Sequence, residues 1–220
     1  MWLLGDVMLE VDRNKSDIAG GHPVAGLQRG AAGKTVIGSM QHAARVQRPA
    51  LGPEVAIRQA QDSDAAGLAH IVAAIMGEFP GCVFDLDADF PELKQPRSSF
   101  EAEGGRFWVA EWHACGGDDA RRDIVGCCGF LPAEDAAGIE LQRVYLRPEF
   151  RGSGLATKMF QIVQAVARQR QAGFIELWTD SRFKAAQRFY EKLGFVRQPG
   201  ERLLNDRSRS SEYHYLLPLR

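Results

Sequence analysis

The sequence predicts an α/β (α+β) chain with a mixed, mostly antiparallel central sheet and helices on both faces. Three observations predict it. Short runs of alternating apolar and polar residues recur along the 220-residue chain and mark strands. Three such runs follow one another with only turns between them, as in an antiparallel meander. Two runs with helical spacing then alternate with strands, and a strand–helix–strand crossover brings a parallel pair into the sheet.

The elements start at Glu54. "EVAIRQA" alternates as a strand does, and Asp62 or Ser63 is placed to cap a following helix, "DAAGLAHIVAAIMGEF". Pro80 and Gly81 open a loop-rich stretch that runs to the neighbourhood of Phe100. "RFWVAEW" and "DIVGCCGFLPA" read as strands separated by the turn-rich "HACGGDDARR", and "GIELQRVYLR" as a third strand ending before Pro148. "LATKMFQIVQAVARQRQ" carries Leu155, Met159, Phe160, Val163, Val166 and Ala167 at helical spacing, with Gly173 as its stop. "FIELWT" is a strand, "FKAAQRFYEKL" a helix capped by Gly194, "FVRQ" a short strand and "EYHYLLPL" a closing one.

Residues 1–53 read differently. They are rich in Gly and Ala and keep no period of 3.6 or 2. They hold six basic and four acidic residues, a net +2 against −3 for the remainder. "QRGAAGKT" approaches the phosphate-binding pattern G-x-x-x-x-G-K-[ST], but Gln28 stands where its first glycine belongs. The segment is expected to be a flexible or poorly ordered leader, with residues 54–220 as the folded domain.

A chain that is 45% hydrophobic and 25% charged is ordinary soluble globular material. A net charge of −1 gives no reason to expect nucleic acid or an anionic membrane as partner. No stretch approaches the ~20 apolar residues that span a bilayer, and "MWLLGDVMLEVD" lacks the basic start of a signal peptide. Cys82, Cys115, Cys127 and Cys128 form no C-x-x-C pair. They are expected to be buried thiols in a reducing cytoplasm, with no metal.

The informative junction is "LRPEFRGSGLATKMF", where a strand runs into a helix through small residues. Such a junction aims several backbone N–H groups one way, at the positive end of the helix dipole, so an anion fits there. Gly152 and Gly154 let the backbone turn and approach closely, and Ala156 on the first turn would not block a phosphate. Taken alone, the pattern also suits a plain strand–helix turn.

One helix and one strand later comes "SRFKAAQRFYEKLGF". The two segments together resemble the GNAT superfamily of acyl-CoA-dependent N-acetyltransferases. The family's loop, (Q/R)-x-x-G-x-(G/A), is matched by Arg151, Gly154 and Ala156. Its second signature, a helix Tyr followed by a Leu-Gly-Phe cap, is matched by Tyr190 and Leu193-Gly194-Phe195. The resemblance covers residues 54 to 220, is strongest from 139 to 196, and leaves out residues 1–53.

The resemblance implies a GNAT-like fold and acetyl-CoA as acyl donor. It implies that the backbone around Arg151, Gly152, Ser153, Gly154, Leu155 and Ala156 binds the pyrophosphate. The strand Arg143, Val144, Tyr145 and Leu146 would splay from its neighbour and pair with the pantetheine arm, and Tyr190 would sit near the thioester sulfur. The acceptor would be a primary amine, of a small molecule or a peptide, attacking directly in a ternary complex.

The chemistry constrains the roles. An alkylamine with a pKa near ~10.4 is neutral in only about one molecule per few thousand at neutral pH, so a carboxylate that takes its proton helps. Glu140 matches the position where many family members carry this base; otherwise it is a solvent-facing strand residue or a partner of Arg143. A backbone N–H near Val144 would steady the tetrahedral oxyanion. Tyr190 would protonate the leaving thiolate, or else simply pack beside Phe189.

From Gln59 to Leu93 there is no Lys or Arg but there are seven acids: Asp62, Asp64, Glu78, Asp85, Asp87, Asp89 and Glu92. They would favour a cationic acceptor, or form a solvated acidic loop. Arg202, Arg207 and Arg209 would instead meet an acceptor carboxylate. His113 and His214 have no obvious partner, and Ser153 lacks the G-x-S-x-G context of a hydrolase nucleophile. No nucleic-acid or membrane partner is expected, and the chain would be a monomer or homodimer. The other reading of the same site is a non-catalytic acyl-CoA-binding or sensing module.

Overall fold

The computed structural model describes residues 55–113 and 122–219. The expected leader, its P-loop-like stretch and the turn holding Cys115 lie outside the described residues. Among these residues eight strands form one sheet: β1 (Val55–Gln59), β2 (Arg106–His113), β3 (Arg122–Pro132), β4 (Gly138–Leu146), β5 (Phe174–Asp180), β6 (Val196–Arg197), β7 (Arg202–Leu203) and β8 (Ser211–Pro218). Their order is β1-β2-β3-β4-β5-β8-β6, with β7 also paired to β8. Among the described residues only β4 and β5 run parallel; the meander β1–β4 and the pairs made by β8 are antiparallel.

Among the described residues four α-helices cover the sheet: α1 (Ala65–Met76), α2 (Pro96–Ala102), α3 (Leu155–Gln169) and α4 (Lys184–Leu193). Side-chain alternation assigns them to faces. Gly67 of α1 meets the Ile124 side chain, and Phe100 of α2 lies over Gly129. On the other face the Cys128 thiol reaches the Met159 carbonyl of α3 at 3.8 Å, and Tyr190 of α4 meets Tyr215 of β8. β4 is buried along its whole length because helices cover it from both sides. The apolar stripe of α3 is the one its spacing predicts, with Ala156 added to it. Among the described residues no helix is long and apolar enough to cross a membrane.

Three details depart from the sequence reading. The stretch after Pro80 contains a helix, α2, that lacks a long periodic run and is set by Pro96 in its first turn. Asp62 does cap a helix, but it is α2: its Oδ1 accepts the backbone N–H groups of Arg97 and Ser98, each at 3.0 Å. And α3 ends before Gly173, because Gln171 takes the left-handed turn at φ 58°. Gly194 does cap α4, at φ 96°, with the Phe195 amide donating back to the Tyr190 carbonyl. The thiols of Cys127 and Cys128 are buried and unbridged, and burial pushes Cys127 up to about 12.

A Cβ built at Gly105 would lie 2.1 Å from the Phe130 carbonyl oxygen, a backbone atom of the β2–β3 ladder that has no room to retreat. Gly105→Ala is therefore expected to cost about 3 kcal/mol of stability through overpacking, read as a lower denaturant midpoint at unchanged m-value.

Candidate active site

β4 pairs with β5 only over Gly138–Glu140, opposite Phe174–Glu176. From Leu141 onward the two strands part, and among the described residues that edge of β4 has no strand beside it. On its other side β4 carries a bulge: Gln142 faces Gly129 and Tyr145 faces Cys127, so Arg143 and Val144 together oppose Cys128. Arg143 turns the bulge at φ 53°, a conformation that costs a non-glycine residue free energy unless its surroundings hold it. Here they do. The guanidinium is buried, its Nε lies 2.8 Å from Glu92 and its Nη2 donates to the Asp89 carbonyl at 3.2 Å. It also stacks 4.6 Å from the centre of the Phe90 ring. The bulge carbonyl accepts from the Cys127 thiol at 3.2 Å.

Beyond β4 the chain makes a short 3₁₀ turn at Pro148–Phe150 and enters α3 through Gly152 at φ 72° and Gly154 at φ 85°. Only glycine adopts such angles freely. A Cβ on Gly154 would meet nothing within 4 Å, so the loop is open in front of the helix N-terminus. Ser153 Oγ donates to the Phe150 carbonyl at 2.5 Å and receives the Leu155 amide at 3.4 Å, which tightens the turn. The remaining first-turn amides of this fifteen-residue helix have no intrahelical acceptor. An open loop of this kind, beside a free strand edge, fits a ligand with phosphates at one end and amides along its length.

Arg151 matches the loop signature by sequence, yet its side chain points inward. Nη1 and Nη2 donate to the two Glu78 oxygens at 2.8 and 2.7 Å, and Nε donates to the Leu146 carbonyl at 3.0 Å. The guanidinium thus ties the loop to the end of α1.

Glu140 is the last residue of the paired part of β4 and is 5% exposed. Its Oε1 has no hydrogen-bond partner. Burial raises its carboxyl from 4.5 to about 7; the neighbouring Glu176 adds to the rise, while Arg202, Gln142 and Arg143 oppose it. Glu140 is therefore neither solvent-facing nor ion-paired to Arg143, which Glu92 takes. Tyr190 is fully buried in α4, with Phe189, Phe195 and Tyr215 around it. Through Phe195 this ring cluster reaches Phe160 of α3. Register puts Glu140 on the α1/α2 face and Tyr215, with Tyr190 against it, on the α3/α4 face. The two candidate catalytic groups thus lie on opposite faces of the sheet.

Most of the seven acids before Leu93 are engaged. Asp64 binds Arg58, Glu78 binds Arg151, Asp85 binds Arg207, Asp87 binds Lys94 and Glu92 binds Arg143; Asp62 caps α2. Burial, with Asp206 and Asp85 nearby, raises the Asp89 carboxyl. Of the three C-terminal arginines, Arg202 lies on Glu212 and Arg207 on Asp85, while Arg209 is exposed. Both histidines find partners: His113 lies 2.9 Å from Glu111 and His214 2.9 Å from Glu176. The Glu176–His214 pair beside Glu140 was hidden in the sequence. The alternation of "FIELWT" and "EYHYLL" put each residue on a face, but the register of β5 against β8 was needed to bring them together.

A family model described as the acetyltransferase (GNAT) family matches residues 68–195. The chain belongs to that family. The uncharacterized N-acetyltransferase YjgM of Escherichia coli K12 is 30% identical over 109 residues, 48% of this chain and 59% of that protein. The uncharacterized N-acetyltransferase Rv2669 of Mycobacterium tuberculosis is 36% identical over 78 residues, 34% of this chain and 49% of its own length. The chain thus spans about half the length of the curated relatives it matches. A GNAT-family acetyltransferase from Staphylococcus aureus shares the fold with a TM-score of 0.61 at 20% identity, covering 76% of this chain and 99% of that one. An acetyltransferase of Salmonella typhimurium, solved with its cofactor acetyl-CoA, has a TM-score of 0.55 at 18% identity, over 76% of this chain and 94% of that one.

Removing one member of the Arg151–Glu78 pair leaves a buried charge unmatched. Glu78→Gln is expected to lower stability by about 3 kcal/mol, measured by thermal unfolding.

Proposed function

We propose that this protein is an N-acetyltransferase that moves the acetyl group of acetyl-CoA to a primary amine by direct attack in a ternary complex. The observation that carries the reading is the gap between β4 and β5, with the glycine loop at one end and, at its head, the buried carboxyl of Glu140, whose Oε1 has no hydrogen-bond partner among the described residues. In this reading the catalytic domain is residues 54–220, and residues 1–53 lie outside it.

The backbone from Arg151 to Ala156 holds the pyrophosphate at the α3 N-terminus. The free edge at Arg143, Val144, Tyr145 and Leu146 takes the pantetheine amides as an added strand, which sets the thioester in the gap. Glu140 takes the ammonium proton, and its position near neutrality suits that task. The freed amine attacks the carbonyl while an amide near Val144 steadies the oxyanion. Tyr190, on the opposite face of the sheet, protonates the departing thiolate, and the second proton that the nitrogen sheds as the amide forms restores the phenol. With the acids of the 78–93 loop mostly engaged by arginines, the acceptor's charge is met chiefly by Glu140.

The base must be ionised, so kcat/KM is expected to fall below about pH 7, and Glu140→Gln to lose about a hundredfold in kcat. The same variant gives a stability signature. Burial favours the protonated form, so stability contributed by the neutral carboxyl is full below 4.5 and is lost as pH rises toward 7. Glu140→Gln escapes that loss, worth on the order of 3 kcal/mol, and is expected to be more stable than the wild type at pH 8.

Tyr190→Phe is expected to lower turnover by about tenfold or more with little change in coenzyme A affinity. Thiol release from acetyl-CoA with a panel of amines, followed across pH, is the assay. Unchanged turnover at all pH values removes the acid role. Tight coenzyme A binding without any amine-dependent thiol release points instead to the binding module.

A further inference from the structure

Beside the gap, the α1/α2 face of the sheet holds a row of polar side chains that the reaction above does not use. Directly opposed residues share a face, so Glu140 stands next to Glu176, Trp178 faces His214, and Asp180 faces Glu212. His214 Nε2 lies 2.9 Å from Glu176 Oε2. Its ring stacks on Trp178 with centroids 4.6 Å apart and planes 14° apart. Arg202 packs on the same indole at 4.0 Å while its Nε donates to Glu212 Oε2 at 2.6 Å. The imidazole is thereby held in one orientation, with its Nε2 on the carboxylate.

Exposure rises along the row. Glu140 is buried, whereas the side chains of Glu176 and His214 are 16% and 20% exposed. Neighbouring strands lie about 4.8 Å apart, so Glu140 and Glu176 are close enough for a single water to bridge them. The charged groups around Glu140 are Glu176 from β5, Arg202 from β7 and Arg143 from its own strand. Glu176 is the one among them that accepts a proton.

The reaction leaves a proton to dispose of. An ammonium and acetyl-CoA become an amide, a thiol and one free proton: the C–N bond forms, the C–S bond breaks, and its electron pair leaves with sulfur. A carboxyl as enclosed as Glu140 needs a route by which to discharge that proton before the next turnover.

We propose that Glu176 and His214 form this route, a relay that carries the proton from Glu140 to solvent; the proposal rests on Glu140 being the base. Glu140 passes its proton through the bridging water to the Glu176 carboxylate. Glu176 passes it to the lone pair of His214 Nε2, and the imidazolium releases a proton to bulk buffer. Glu176 and His214 do not touch the substrate; they act through Glu140, and Trp178 positions the imidazole.

The test is chemical rescue in the full chain, using acetyl-CoA and an acceptor amine that the wild type turns over. At low buffer concentration His214→Ala is expected to lose about tenfold in kcat, less than removal of the base itself, with both KM values unchanged. Added imidazole at constant ionic strength should restore the rate in a saturable way while leaving the wild type unaffected. His214→Gln, which keeps more of the contact with Trp178, should show the same loss, and thermal unfolding checks that each variant is folded. Glu176→Gln should also be slow. A folded His214 variant with wild-type kcat, or one whose loss imidazole does not restore, overturns the relay. If Glu140→Gln keeps full activity, the base reading falls and the relay with it. A slow, unrescued Glu140→Gln beside normal His214 variants removes the relay alone.

Discussion

β4 has a strand on each side as far as Glu140 and on one side only after it, and the rest of the site follows from that parting. Buried backbone donors and acceptors that lack partners are costly, so a free edge within a fold is kept for something that completes it. Two constraints keep the edge open. The bulge at Arg143 and Val144 shifts the strand's path, and Arg143 is locked in its left-handed turn by Glu92, the Asp89 carbonyl and the Phe90 ring. Because the parting begins just after Glu140, the carboxylate sits where the two halves of the sheet diverge. In the proposed reaction, that is where the thioester and the amine meet.

The acidic stretch before Leu93 serves the fold more than it advertises charge. Three arginines from three separate elements reach it: Arg151 from the glycine loop to Glu78, Arg207 from the turn before β8 to Asp85, and Arg143 from the β4 bulge to Glu92. Two of these pairs join the β4 bulge and the glycine loop to the one stretch between Glu78 and Glu92. The Arg143 and Arg151 side chains are almost wholly enclosed, and so these two pairs specify geometry more than they add net stability. Glu140 is treated differently. It is buried with an oxygen left unpartnered and a carboxyl held near neutrality, a cost to stability of the kind found at sites of chemistry.

Much of the architecture could be read from residue order. The alternation of the three meander strands, the helical stripe of α3 and the Gly194 cap all describe local geometry, which neighbouring residues dictate. The readings that failed depended on distant partners. Asp62 caps α2 rather than α1 because the fold brings Arg97 and Ser98 to it. α2 itself is too short to display a period, and β7 has only two residues whose pairing with β8 defines it. Within the site, the spacing of the strand-helix junction nominated Gly152 and Gly154, and the resemblance to the family nominated Glu140 and Tyr190. Neither could disclose that Arg151 points inward or that His214 has Glu176 for a partner.

The sequence by itself determined the element order, the glycine junction that must turn where other residues strain, and the family signatures at Arg151–Ala156 and Tyr190–Phe195. The first two follow from backbone sterics and periodicity, which act over a few residues; the signatures are matched by resemblance to the family. Tertiary structure alone decided which charges meet, which carboxylate is stripped of water, and which side chains share a face across β4, β5 and β8. Those outcomes depend on strand register and burial. Both are set by contacts between residues as far apart as Glu78 and Arg151, or Glu176 and His214.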